Sequence, residues 1–162
     1  MKRFKIREIQ PEDNQGVARL IRNVLVEMGV PKIGTAYEDK SLEDMHATYD
    51  HPRMKYFVVQ ENGKLIGSAG IAPLTRAEED ICELQKMYFL PEARGRGIGS
   101  EMMQTCINYA KSNNFKRCYL ETLPYMENAR KLYARNGFQS VGKPMGETGH
   151  FNCSMWMLKD LE

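Results

Sequence analysis

Met87-Tyr88-Phe89-Leu90-Pro91-Glu92-Ala93-Arg94-Gly95-Arg96-Gly97-Ile98-Gly99-Ser100 decides how the rest of this chain is read. The stretch reads as a buried strand, a short turn with three alternating glycines and two arginines, and the start of a helix. Amides in the first turn of a helix have no partner within it, and the helix dipole adds partial positive charge there. The two effects together make a site for phosphate. Glycine lets the backbone approach such a ligand closely, and arginine suits phosphate geometry. A phosphorylated cofactor is the expected ligand.

The surrounding sequence supplies the elements that would hold this turn. Phe4, Ile6 and Ile9 predict an opening strand that Pro11 ends. Asp13 or Asn14 is placed to cap the helix that follows. In that helix Val17, Leu20, Ile21, Val24, Leu25 and Met28 form one apolar stripe, stopped by Gly29 and Pro31. A loop is expected over 31–41 and a short helix over 41–49. Strands are predicted over 56–59 and 65–71, joined by an Asn62-Gly63 hairpin turn, and then over 81–89. Beyond the glycines a helix over 97–112 carries Ile98, Met102, Cys106 and Ala110 on one side, beside Met103 and Ile107. A strand over 117–122, a helix over 128–135 closed by Asn136-Gly137, and strands over 138–141 and 152–158 complete the order. Hairpins combined with strand–helix units imply a mixed sheet covered by helices.

Composition narrows the function classes. With 162 residues the chain is expected to be one domain, 1–162. A formal net charge of +2 gives no reason to expect nucleic acid or a membrane surface as partner. No apolar run reaches the ~18 residues of a membrane span. Met1-Lys2-Arg3-Phe4-Lys5 lacks the apolar core of a signal peptide. Cys82, Cys106, Cys118 and Cys153 form no Cys-x-x-Cys pair, and the spacing groups none of them with a histidine as metal ligands. Reduced thiols in the cytoplasm, and no metal, are the expectation.

The glycines also indicate which cofactor. Ser100 stands where a dinucleotide fingerprint has its third glycine, and the Lys-Ser/Thr of a P-loop is absent. Arg94-x-x-Gly97-x-Gly99 resembles the coenzyme A signature of the GNAT superfamily of N-acetyltransferases. Asn128-Ala129-Arg130-Lys131-Leu132-Tyr133-Ala134-Arg135-Asn136-Gly137-Phe138 resembles the same family's Asn-x-x-x-x-Tyr-x-x-x-Gly-Phe segment. The order of elements is similar throughout, while the motif matches span about 83–99 and 128–138.

The resemblance implies an α+β fold. Its central, mostly antiparallel sheet would have six to seven strands, about four flanking helices, and a splay between the fourth and fifth strands. Acetyl-CoA would lie in that opening. Met87, Tyr88 and Phe89 would contact it through strand backbone; Arg94, Gly95, Arg96, Gly97, Ile98, Gly99 and Ser100 would wrap its pyrophosphate; Asn128 would touch its pantetheine arm. A strand amide near Phe89 would stabilise the oxyanion. The family's tyrosine, here Tyr133, would protonate the departing thiolate, which a phenol with an ordinary pKa near ~10 can do at neutral pH. Glu83, eleven residues before Arg94, stands where some family members carry a catalytic glutamate. On a regular strand it would share a face with Gln85, Met87 and Phe89. Glu121 is a second candidate base.

The implied reaction is direct attack of a primary amine, on a small molecule or peptide, upon the thioester. The acceptor is not legible, although residues 29–50 and the loop 142–152, with His150 and Cys153 in or beside it, would select it. Family habit implies a homodimer. A non-catalytic acyl-CoA sensor is the alternative. A nicotinamide enzyme, with Glu121 as ribose-binding acid, is a further one, weakened by the missing glycine.

Overall fold

The computed structural model describes residues 3–124, 126–151 and 153–162. Seven strands form one sheet: β1 Phe4–Glu8, β2 Lys55–Glu61, β3 Lys64–Pro73, β4 Ile81–Phe89, β5 Arg117–Thr122, β6 Gln139–Val141 and β7 Met155–Asp160. Their order is β1-β2-β3-β4-β5-β7-β6. Among the described residues only β4 and β5 pair in parallel; every other pairing is antiparallel. Four α-helices flank it: α1 Asn14–Glu27, α2 Met45–Tyr49, α3 Ile98–Ser112 and α4 Glu127–Arg135. This is the α+β, mostly antiparallel architecture expected from the motifs.

The two apolar stripes bury opposite faces of the sheet. Met102, Met103, Cys106, Ile107 and Ala110 of α3 pack with Ile71, Leu84 and Leu120. Val17, Leu20, Ile21 and Leu25 of α1 pack with Tyr56, Val58, Leu42 and Met45. Asn62 and Gly63, at φ 51° and 77°, turn the β2–β3 hairpin, as their pairing in sequence predicts.

Several local expectations are corrected. Asp13 occupies the N-cap position of α1, as one of the two candidates, but its side chain makes no capping hydrogen bond. The Asp13 carboxylate instead accepts both terminal nitrogens of Arg7, at 2.8 and 3.0 Å, and the Gln10 amide. Asn14 reaches across to Asp44 and to the His46 amide. The segment expected as one helix over 41–49 is divided. Short 3-10 turns at Ala36–Glu38 and Lys40–Glu43 precede α2, because Asp44 leaves helical geometry and takes the Ala47 amide on its side chain. The last strand begins at Met155 and ends at Asp160 rather than spanning 152–158; Asn152 lies outside the described residues.

One correction reorganises the site. β4 is not regular: Ser68 opposes Tyr88, but Gly70 opposes Gln85, so Lys86 and Met87 together face Ala69. This is a β-bulge, and Lys86 takes φ 49° within it. A left-handed lysine costs on the order of 1–3 kcal/mol. Tyr56 Oη donating to Lys86 O at 2.8 Å, and Lys86 Nζ paired with Asp39 Oδ2 at 2.8 Å, hold it. The extra residue reverses the alternation. Cys82 and Leu84 before the bulge join Met87 and Phe89 after it on the α3 side. Glu83 and Gln85 therefore stand on the other face from Met87 and Phe89, not on one face with them.

Candidate active site

The sheet opens between β4 and β5. These strands are in register only over Ile81–Arg117, Cys82–Cys118 and Glu83–Tyr119, so the rest of β4 has lost its neighbour on that side. Leu90 N donates to Ile66 O of β3 at 2.9 Å. Amides alternate in direction along a strand, so that of Phe89 points into the opening.

A cleft of about 400 Å³ fills it. Met87, Tyr88, Phe89, Arg94, Gly95, Gly97, Gly99, Ser100 and Asn128, all named from the sequence, line this cleft. The turn leaves its backbone open to the cleft. Gly95 and Gly97 have φ 72° and 78°, and a Cβ on either would meet nothing within 4 Å, so the space before them is open. Gly97 is also the N-cap of α3, and no side chain caps that helix. Its first amides have no partner within the helix. Gly99, which also lines the cleft, serves packing as well. A Cβ there would stand 3.0 Å from Leu132 Cδ2, so this glycine lets α4 approach α3.

Three expected contacts are more limited than the motif suggests. Ile98 is fully buried in the core, so only its backbone can serve. Arg96 lies off the cleft, its guanidinium held by the Glu61 carboxylate on β2 and the Glu92 carbonyl. Arg94 lines the cleft, but its guanidinium is bidentate on Glu27 of α1 and also donates to Phe89 O. That pairing holds the Glu27 carboxyl below the usual carboxylate range. Side-chain charge at the cleft comes also from Lys131 and Arg135 of α4. The motifs do not single these two out; their spacing of four on one helix face is the signal that could have found them.

A smaller cavity of about 50 Å³ continues on the α1 side of the sheet. Met87, Tyr88, Met126 and Tyr133 line both spaces, so Tyr133 stands where the two meet. It is buried. Burial, and secondarily the nearby Cys153 thiol, push its phenol up to about 12.

The inner cavity holds both candidate carboxylates. Glu83 is 6% exposed and accepts Gln85 Nε2 at 2.6 Å; Gln85 Oε1 in turn accepts the Tyr49 hydroxyl. Desolvation raises the Glu83 pKa to about 7, with Glu121 adding to the rise and the Gln85 bond opposing it. Glu121 is differently placed. Its oxygens accept the hydroxyls of Tyr119, at 2.6 Å, and Thr148, which ties the loop before β7 to β5.

His150 and Lys86 line the cavity, and Asp39 pairs with both. His150 Nε2 donates to the Asp39 carboxylate at 2.9–3.0 Å. Burial would lower the imidazole pKa, but the Asp39 bond and charge outweigh it and the net shift is upward. Asp39 is held below its ordinary value against its own desolvation by the His150 bond and Lys86. Sequence reading misses Asp39 and Lys86, since a 3-10 turn and a bulge place them.

A profile of the "Acetyltransferase (GNAT) family" matches residues 21–138. The chain belongs to this family. An uncharacterized N-acetyltransferase of Escherichia coli (strain K12), YjgM, is 41% identical over 157 residues, covering 96% of this chain and 94% of the other. A GNAT-family acetyltransferase structure from Staphylococcus aureus Mu50 superposes with TM-score 0.88 at 20% identity, over 98% of this chain and 99% of the other. Another structure, yncA of Salmonella typhimurium "with its cofactor Acetyl-CoA", superposes with TM-score 0.77 at 16% identity, over 99% and 95% of the two chains. This GNAT chain is thus an acyltransferase, and acetyl-CoA is the acetyl donor of its family. The nicotinamide alternative fails on topology, because a mostly antiparallel sheet is not the doubly wound parallel sheet that reading requires.

Proposed function

We propose that this GNAT protein transfers acetyl from acetyl-CoA to a primary amine by direct attack. The carrying observation is that Tyr133 lies at the junction of two spaces, one lined by the glycine turn and the other by Glu83.

In this reading the diphosphate rests on the amides of 95–100, and the pantetheine arm runs past Asn128 toward Tyr133. The amine enters the inner cavity. Glu83, with a pKa near 7, is ionised in a useful fraction at neutral pH and takes the amine proton directly or through water. The nitrogen attacks the thioester carbonyl, and the Phe89 amide meets the oxyanion. The C–S bond then breaks, and Tyr133 gives its proton to the thiolate. Its raised pKa keeps it protonated at working pH. Glu121 is the less suited base because two hydroxyls already engage its oxygens; it organises the loop instead. Holding both reactants together supplies much of the rate.

Among the described residues no helix is long and apolar enough to cross a membrane. Four free thiols suit a reducing compartment such as the cytoplasm. The test is an amine panel with acetyl-CoA, followed by free thiol release. Turnover on at least one amine, lost in Glu83→Gln, supports the reading. Tight acetyl-CoA binding with no turnover on any amine identifies a sensor instead.

A further inference from the structure

The inner cavity carries a second kind of chemistry that acetyl transfer does not use. Glu121, His150 and Cys153 each offer a ligand atom, and these atoms lie within 4.8 Å of one another. All three residues are half-buried. Sequence spacing carries no sign of this cluster, because one member sits on β5 and comes some thirty residues before the other two. His150 and Cys153 come from one turn, closed by Cys153 N donating to His150 O at 3.1 Å.

A second observation points to the same chemistry. His150 commits Nε2 to the Asp39 carboxylate at 2.9–3.0 Å. Metal-ligating histidines almost always donate their other ring N–H to a carboxylate, carbonyl or water, which fixes the tautomer and raises ligand basicity. With Nε2 so engaged, Nδ1 is the nitrogen left to ligate. Asp39 is itself fixed by Lys86 at 2.8 Å, and Glu121 by Tyr119 and Thr148. Two of the three ligands therefore have outer partners that orient them.

We propose that Glu121, His150 and Cys153 form a three-ligand zinc site, oriented by Asp39, and that zinc bound there occludes the acceptor cavity. One nitrogen, one oxygen and one sulfur suit zinc over magnesium or calcium, which take oxygen. Zinc bonds thiolate at about 2.3 Å and imidazole or carboxylate at about 2.0–2.2 Å, which sets tetrahedral neighbours roughly 3.5 Å apart. The ligand atoms need close by only about 1 Å to reach that spacing. On binding, the Cys153 thiol loses its proton to solvent, and any proton on His150 Nδ1 leaves as well. A fourth position stays open to the cavity. The occlusion rests on the acceptor reading above, whereas the binding does not.

The test titrates metal-free protein with Zn²⁺ against a chromophoric chelator, with Mg²⁺ as control and Co²⁺ as spectroscopic probe. One zinc per chain is expected, with no magnesium uptake. Co²⁺ should give a thiolate charge-transfer band that Cys153→Ser abolishes. Asp39→Asn should weaken zinc by about 10–100-fold, and circular dichroism checks that each variant is folded. No zinc uptake overturns the site, as does uptake unchanged in both Cys153→Ser and His150→Gln. Zinc should also inhibit acetylation in competition with the amine and not with acetyl-CoA. Bound zinc that leaves turnover unchanged overturns the occlusion. Should no amine be acetylated at all, the acetylation reading fails while the binding measurement still decides the metal site.

Discussion

Gln85 Nε2 donates to Glu83 Oε1 across 2.6 Å, and these two side chains, two residues apart on the regular part of β4 before the bulge at Lys86, share one face of the strand. A buried carboxyl with one amide partner remains costly to ionise, which is why its pKa rises to about 7. Replacing Glu83 by Gln removes the base and keeps the shape. kcat should fall by about 10²–10⁴-fold, with acetyl-CoA affinity unchanged. In the wild type, kcat/KM should rise with pH through an apparent pKa near 7, and the variant should lose that limb. Stopped thiol-release assays from pH 5.5 to 9 measure both.

The same group gives a stability signature of opposite sense. A carboxyl whose pKa is higher folded than unfolded binds more protons in the native state, so stability is lost as pH rises through about 7. Glu83→Gln should therefore unfold at nearly the wild-type temperature near pH 4 and above it at pH 8. The difference is worth up to on the order of 3 kcal/mol, each pKa unit being about 1.4 kcal/mol. Calorimetric melts at the two pH values, without ligand, read it.

Tyr133→Phe keeps the ring that lines both spaces and removes the proton. Turnover should fall by about 10²-fold or more, with acetyl-CoA dissociation constants within twofold of wild type by calorimetry. Equal turnover would take the phenol out of the mechanism.

Gly97 and Gly99 separate binding from packing. Gly97→Ala forces a side chain into φ 78° and into the open space before the turn. It should weaken acetyl-CoA at least tenfold and cost about 1 kcal/mol of stability. Gly99→Ala meets the flexible end of Leu132 at 3.0 Å. It should shift the melting temperature slightly and affect cofactor affinity less than Gly97→Ala does.

The fold and most of the residues that line the cleft were legible because they rest on local signals. Apolar stripes at helical spacing, an Asn-Gly hairpin and an alternating glycine turn each act over a few residues. The acceptor side was not legible. One inserted residue at Lys86 turns Met87 and Phe89 away from Glu83, and nothing in the sequence announces a left-handed lysine. Asp39 reaches His150 across 111 residues of chain, and Arg94 spends its guanidinium on Glu27, 67 residues away. Long-range pairings of this kind decide which charges stay free for a ligand, and only the folded chain displays them.

A crystal structure of the protein with coenzyme A examines the assignment at atomic scale. The diphosphate should lie within hydrogen-bond distance of the amides of 95–100, with the sulfur beside the Tyr133 hydroxyl and on the path to Glu83. Coenzyme A seated elsewhere, or with its sulfur directed away from Tyr133, would contradict it.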